Sequence, residues 1–485
     1  MNLTEYARLD ALGLAEVIAG GGLSPREAAQ TAMRAIEAAN PAVNAVIETY
    51  ADRIEGLDEA SLGNGPFRGV PFLIKDVGGH EKDRLIEFGS RLCHGLAVPV
   101  TTHFAELLRA SGVNILGRTN TPEYSMSGAT ENALYGATSN PWRAGYCAGG
   151  SSGGAAAAVV SGMVPISHGT DIAGSIRIPA GWCGGVGLKT SRGRVSFGPL
   201  LDEGGFGLAT NLVQTRTIRD TAAMLDCMAV PQVGDPFTIP RPAESYASLA
   251  RKVPRPLRVG VAMKPFMGVP VEPEVAAAVR DTARVLEGMG HEIVEIEPEF
   301  DGLRSVRKFC DIWFFGFDQR LESYSRATGH PIGEDTLEPA VWAIYQHARA
   351  MTGADFLAAL AEANRARRTL ARVYRDCDVW LGPTLARPAE PHGNYHLGRT
   401  DVTTMEDYVE KVAAVPFQFT VPHNILGTPA LSLPLAMHST GLPIGIQLGA
   451  PHAQEHVLLQ LGAALEQALP WAGRVPPLHV SRLGG

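Results

Sequence analysis

Apolar and polar residues along this chain keep two different periods, and each stretch that holds one period predicts an element. In "SPREAAQTAMRAIEAA" (24–39) Ala29, Met33 and Ile36 recur at helical spacing, so one stripe packs inward. Ser24, Pro25 and Glu27 supply a capping box with proline at the first helical position. "GVPFLIKD" (69–76) is a short apolar run bounded by turn residues and predicts a buried strand with Lys75 at its carboxyl end. "HFAELLRASGVNILGRTNTPE" repeats the pattern: a helix to about Ala110, a stop at Gly112, and a strand "VNILG" running into a polar loop.

The clearest unit comes later. "LRVGVAM" reads as a strand, "PEVAAAVRDTARVLEGMG" as a helix with Val275, Val279, Thr282, Leu286 and Met289 on one face, and "HEIVEIE" as a second strand. That succession implies parallel pairing with a right-handed crossover. Residues 300–375 are helical in pattern, and 387–400 reads as a loop. The segment from Asn424 gives two short strands around a glycine-rich turn and then a helix from about Gln454. The expected fold is α/β: a central mixed twisted sheet covered by helices on both faces, in one intertwined domain.

Composition narrows the class. The 485 residues are 45% hydrophobic and 19% charged, an ordinary globular balance with material for a large core. A net charge of −8 without blocks of like charge gives no nucleic-acid or membrane-binding face. The amino-terminal stretch has acids among its apolar residues and does not read as a signal peptide, and no apolar run spans a bilayer. Six scattered cysteines without a CxxC pair fit a reducing compartment, so the expected location is cytoplasmic. His291, His452 and His456 lack the companions a metal needs; no metal and no cofactor are expected.

The candidate chemistry lies in "GGSSGGAAAAVVSGMVPISHGTDIAGSIRIP" (149–179). "GGSSG" matches the G-x-S-x-G elbow around Ser151, but the elbow needs a preceding strand, and "NPWRAGYCA" reads as turns. "GVGLKTS" lacks P-loop spacing. In "GTDIAGSIRIP", Ile172, Ala173 and Gly174 form a small-residue turn whose N–H groups suit an oxyanion, with Ser175 after it. A serine hydroxyl needs a base, and Lys75 stands at a strand end in apolar surroundings. Its pKa, about 10.4 in water, would have to fall by roughly 3 units, about 4 kcal/mol of environmental work. Taken singly, a strand-end lysine is an ordinary solvated charge and a glycine-serine turn an ordinary turn.

Taken as a set, "GVPFLIKD", "GRTNTPE", "YGATSNPW", "GGSSGG", "GTDIAGSIRIPAGWCGGVGLKTSRGRVS", "DVWLGPT" and "GTPALSLPLAMHSTGLPIGIQL" resemble the amidase signature family, over about residues 10–220 and 375–470. The resemblance implies that Ser175 is the nucleophile, Lys75 the general base and Ser151 a bridging serine after a cis Gly150–Ser151 peptide. It places the oxyanion on the N–H groups of Ile172, Ala173, Gly174 and Ser175, and gives Ser152, Asp171 and Arg177 supporting roles. Ala173 departs from the family's usual glycine; if that position needs positive φ, alanine is strained there. Relatives with alanine include the aminohexanoate cyclic dimer hydrolases. The implied layout is a helical segment (1–65), a catalytic core (66–220), a substrate-shaping region (230–375) and a C-terminal part of the core (376–470).

By the same resemblance Tyr124, Ser125, Met126, Ser127 and Trp182 line the cleft, and "CDIWFFGF" adds Trp313 and Phe314. For each aromatic, core packing is the competing role. The expected activity is hydrolysis of neutral, apolar or aryl amides, with carbamates, oligoamides and esters within reach of the same chemistry. Partners are the small-molecule amide and water, and the pattern allows a homodimer. Three other functions stay open on the sequence: a glutamine-hydrolysing subunit of a tRNA-dependent amidotransferase, an idle binding protein, and a Ser-His-Asp esterase using Ser151 with His423.

Overall fold

The computed structural model describes residues 1–483. Its main sheet has eleven strands: β1 (Val46–Thr49), β2 (Pro71–Lys75), β3 (Asn114–Thr119), β4 (Ile166–Asp171), β5 (Val186–Lys189), β6 (Thr210–Thr215), β7 (Arg258–Val261), β8 (Glu292–Glu295), β9 (Val379–Pro383), β10 (Ala430–Met437) and β11 (Pro443–Gly449). Their order is β1-β3-β2-β4-β6-β5-β10-β11-β9-β7-β8. The sheet is mixed: β2 runs parallel to β3 and β4, whereas β4–β6, β6–β5, β5–β10 and β10–β11 are antiparallel. Flanking helices include α1 (Pro25–Val43), α2 (Gly153–Val160), α3 (Arg177–Cys183), α4 (Pro273–Gly288), α5 (Gly302–Phe314), α6 (Phe317–Thr328), α7 (Pro339–Ala350), α8 (Gly353–Leu370) and α9 (Glu455–Ala468).

The local signals act as their chemistry requires. Ser24 and Glu27 close the capping box on α1, whose buried face is Ala28, Ala29, Ala32, Ala35, Ile36 and Ala39. The β7–α4–β8 unit is parallel, with Arg258 opposite Glu292. Val275, Val279, Thr282 and Leu286 are buried as their spacing predicts, each aliphatic side chain contributing about 1.5–3 kcal/mol of burial. Met289 differs: the helix has ended, so its side chain leaves the stripe and stays 37% exposed. "RAGYC" (143–147) also differs, forming a short strand against Ser139–Asn140 where turns were expected.

One apolar core joins α1, the sheet and α9; a second joins loops of the 88–182 region to α5, α6 and α7. Among the described residues no helix is long and apolar enough to cross a membrane.

Candidate active site

Strands β2 and β4 are parallel neighbours, so their carboxyl ends lie side by side. That brings Lys75, last residue of β2, to Thr170, next to last in β4. Lys75 Nζ is 2.8 Å from Thr170 Oγ1, 2.7 Å from Ser151 Oγ and 3.0 Å from Ser152 Oγ. The two serines stand where the chain enters α2, which leads back into β4. The Gly150–Ser151 peptide is cis. A Cβ at Gly150 would lie 2.7 Å from both Ala129 N and Ser127 O, so only glycine lets this turn press against the 127–129 backbone.

Lys75 is 1% exposed. Burial lowers its pKa well below the usual lysine value, against the opposing pull of Asp171 and Asp76. The amine is thus held toward its neutral form.

The second serine turn follows β4 and joins the first, Ser152 N–H donating to Ser175 O at 3.2 Å. Asp171 builds it. Its carboxylate accepts from Gly174 N (2.9 Å), Ile176 N (3.2 Å), Asn424 Nδ2 (2.9 Å) and both Nε and a terminal nitrogen of Arg177 (2.9 Å each). Arg177 reaches on to Thr420 O (2.9 Å), Gln447 Oε1 (2.7 Å) and Asn424 Oδ1 (2.6 Å). The Asp171–Arg177 pair is fully buried. Burial alone would raise the Asp171 pKa, but Arg177 beside it, with Lys189 and Asn424, holds the carboxyl below its ordinary value.

Two expectations about this turn change. The Gly174 N–H is taken by Asp171, so it is not a free donor; among the described residues Ile172, Ala173 and Ser175 keep amides with no backbone or side-chain acceptor. The left-handed backbone falls on Gly174 (φ 129°) and not on Ala173, so alanine carries no strain there. A Cβ at Gly174 would lie 2.4 Å from Thr420 Oγ1.

The expected pocket residues gather in the second core. Tyr124, Met126, Trp182, Trp313 and Phe314 pack in one cluster that also receives the Ala173 side chain. Tyr124 stacks on Phe88 (5.9 Å) and meets Phe317 edge-on (5.1 Å), while Trp313 stacks on Phe314 (5.0 Å). Trp182 Nε1 donates to Arg387 O (3.0 Å) and Ser127 Oγ to Tyr395 O (2.7 Å). Ser125 Oγ bonds Thr121 Oγ1 (3.0 Å), which donates to Ser151 O (3.0 Å), tying this loop to the serine turn. His423 bonds Thr428 Oγ1 (3.4 Å) and packs on Trp380, so the group beside Ser151 is Lys75.

Sequence reasoning missed Thr170, Thr420, Asn424 and Gln447. Thr170 had one signal, its place next to Asp171 in the strand. The other three carry none locally, since they reach Arg177 from more than 240 positions away.

The amidase family model matches residues 27–459. The chain is 36% identical to the 6-aminohexanoate-cyclic-dimer hydrolase of Paenarthrobacter ureafaciens, over 97% of this chain and 96% of that protein. It is 34% identical to an acylamidase of Rhodococcus erythropolis, over 96% and 97%. A solved 6-aminohexanoate cyclic dimer hydrolase complexed with substrate superposes with a TM-score of 0.91 at 34% identity, covering 97% of this chain and 99% of that one. The chain therefore belongs to the amidase family, as an amidase-signature hydrolase of carbon–nitrogen bonds.

Proposed function

We propose that this chain is a serine amidohydrolase that cleaves neutral, apolar or aryl amides through an acyl-enzyme on Ser175. The observation that carries the reading is the 2.7 Å contact of a buried Lys75 with Ser151. A neutral amine has two N–H donors and one lone pair. The Ser152 and Thr170 oxygens, at 3.0 and 2.8 Å, can take the two N–H bonds, and the Ser151 hydroxyl donates into the lone pair. Ser151 then has an oxygen lone pair available for the proton of Ser175.

As Ser175 attacks the amide carbonyl, its proton passes to Ser151 while the Ser151 proton moves to Lys75. The N–H groups of Ile172, Ala173 and Ser175 hold the oxyanion, each donor of this kind being worth about 3–4 kcal/mol. Lys75 returns the proton through Ser151 to the leaving nitrogen, and water cleaves the acyl-enzyme by the same relay.

Tyr124, Ser125, Met126, Ser127, Trp182, Trp313 and Phe314 form the acyl side in this reading. Their apolar cluster around Ala173 supports a neutral substrate, as do relatives named for a cyclic aminohexanoate dimer and for acyl amides. A glutamine-hydrolysing role is not favoured, because the polar glutamine side chain would enter that apolar cluster. The 230–375 region supplies Trp313 and Phe314 and so shapes the substrate.

Ser175→Ala and Lys75→Ala are expected to lower kcat/KM on a neutral anilide by at least about 10³-fold with the fold retained. In the wild type kcat/KM is expected to rise with pH as Lys75 loses its proton and to reach its plateau below the ordinary lysine range, read from a pH–rate profile. A fluorophosphonate should label Ser175 and leave Ser151 free, read by peptide mass mapping. Turnover retained in Ser175→Ala overturns the mechanism.

A further inference from the structure

The loop 204–208 lies against the oxyanion turn. A Cβ built on Gly205 would sit 2.4 Å from Ile172 Cδ1. Asn424 Nδ2 holds the loop by Leu208 O at 3.1 Å, and Arg192 Nε holds it by Gly207 O. Its middle residue, Phe206, has φ 54° between Gly205 at 55° and Gly207 at 82°. Left-handed backbone is disfavoured for a bulky residue, and at 47% exposure burial gives Phe206 little in return. Two rings meet it instead: Phe356 at 4.8 Å and Phe315 at 6.4 Å, themselves stacked at 4.4 Å. Strain kept at an exposed aromatic points to a use outside the fold.

The surroundings of the catalytic centre differ on its two sides. Ala173 is fully buried in the apolar cluster that also holds Tyr124, Met126 and Trp182. Thr170 and Ile172 are half-buried, while Asp171 between them is enclosed. Thr170 touches the Lys75 amine, the source of the proton that the leaving nitrogen receives. The departing amine therefore has its opening on the Thr170–Ile172 side, toward Phe206.

We propose that Thr170, Ile172, Phe206, Phe315 and Phe356 form a leaving-group subsite that takes the aryl or apolar amine half of the substrate; this rests on the amidohydrolase reading above. The subsite joins a loop of the catalytic half to the helices of the middle region, so the amine partner is selected separately from the acyl partner.

The test compares an anilide with the primary amide of the same acid, and two anilides that differ only in the acyl group. Phe206→Ala is expected to lower kcat/KM for the anilide about tenfold, to leave the primary amide within about twofold, and to leave the acyl preference unchanged. Phe206→Gly, which accepts φ 54° without strain, is expected to keep or raise Tm and show the same selective loss. Equal loss on both leaving groups, no loss on the anilide, or a loss that follows the acyl group overturns the subsite. If the wild type hydrolyses neither amide, or Ser175→Ala keeps turnover, the amidohydrolase reading fails instead, whatever Phe206 does.

Discussion

At the scale of single residues, the turn 172–175 makes opposite demands on two neighbours. Gly174 has φ 129° and a Cβ there would meet Thr420 Oγ1 at 2.4 Å and Ile178 Cδ1 at 2.7 Å. Ala173 has no such backbone constraint and buries its methyl among apolar side chains. In the proposed mechanism Gly174→Ala pushes the turn off Thr420 and displaces the neighbouring N–H donors, so it is expected to cost at least about a hundredfold in kcat/KM, whereas Ala173→Gly changes it by less than about fivefold. Both are checked by steady-state kinetics on one anilide. The side chains that meet here were legible as candidates because few residue types suit such chemistry: a strand-end lysine and two serine turns stand out, and the fold brings Lys75 to Ser151 and Ser152. The direction of an amide N–H was not, since Gly174 turns its hydrogen toward Asp171 only because Arg177 fixes that carboxylate.

At the scale of elements, stability and catalysis separate. Leu286 on α4 is fully buried between that helix and the sheet, in a unit that contributes no residue to the serine turns. Leu286→Ala is expected to cost about 2–5 kcal/mol in denaturant unfolding, with kcat of the folded enzyme unchanged. Elements with a long apolar period, such as α1 and α4, were legible, α1 together with its capping box. The four-residue β1 and the strand within "RAGYC" were not, because glycine-rich or short segments keep no period to read. The adjacency of β5 and β10 was equally hidden: backbone pairing between Leu188 and Leu431 leaves no local trace.

At the scale of the whole molecule, three carboxylates join distant parts of the chain. Asp220 accepts from Ala11 N (2.8 Å) and Leu12 N (3.0 Å), Asp10 pairs with Arg219, and Glu466 of α9 faces Ile218 N. Burial, reinforced by Asp10 and Asp220, pushes the Glu466 pKa up to about 7, and burial with Asp10 pushes Asp220 up to about 6. An acid raised in the folded state binds its proton more tightly there than in the unfolded chain. Its stabilising contribution is present below the unfolded pKa and is lost as pH rises through the folded one. Glu466→Gln is expected to raise stability by about 1–2 kcal/mol at pH 8 and by much less at pH 5, compared through unfolding curves at the two pH values.

The order of the sheet also sets a schedule for synthesis. β5 ends at Lys189, and its partner β10 begins at Ala430, 430 − 189 = 241 positions later. At roughly 5–20 residues per second, a ribosome needs roughly 10–50 seconds to cover that interval. For nearly all of it both serine turns already exist as chain, while of the side chains that brace Arg177 behind them Asn424 comes only just before Ala430 and Gln447 after it. The nascent protein thus holds an open apolar sheet edge at β5 and an unbraced arginine until nearly the last strand emerges. A chain stopped before Ala430 would be an aggregation hazard more than a slow enzyme.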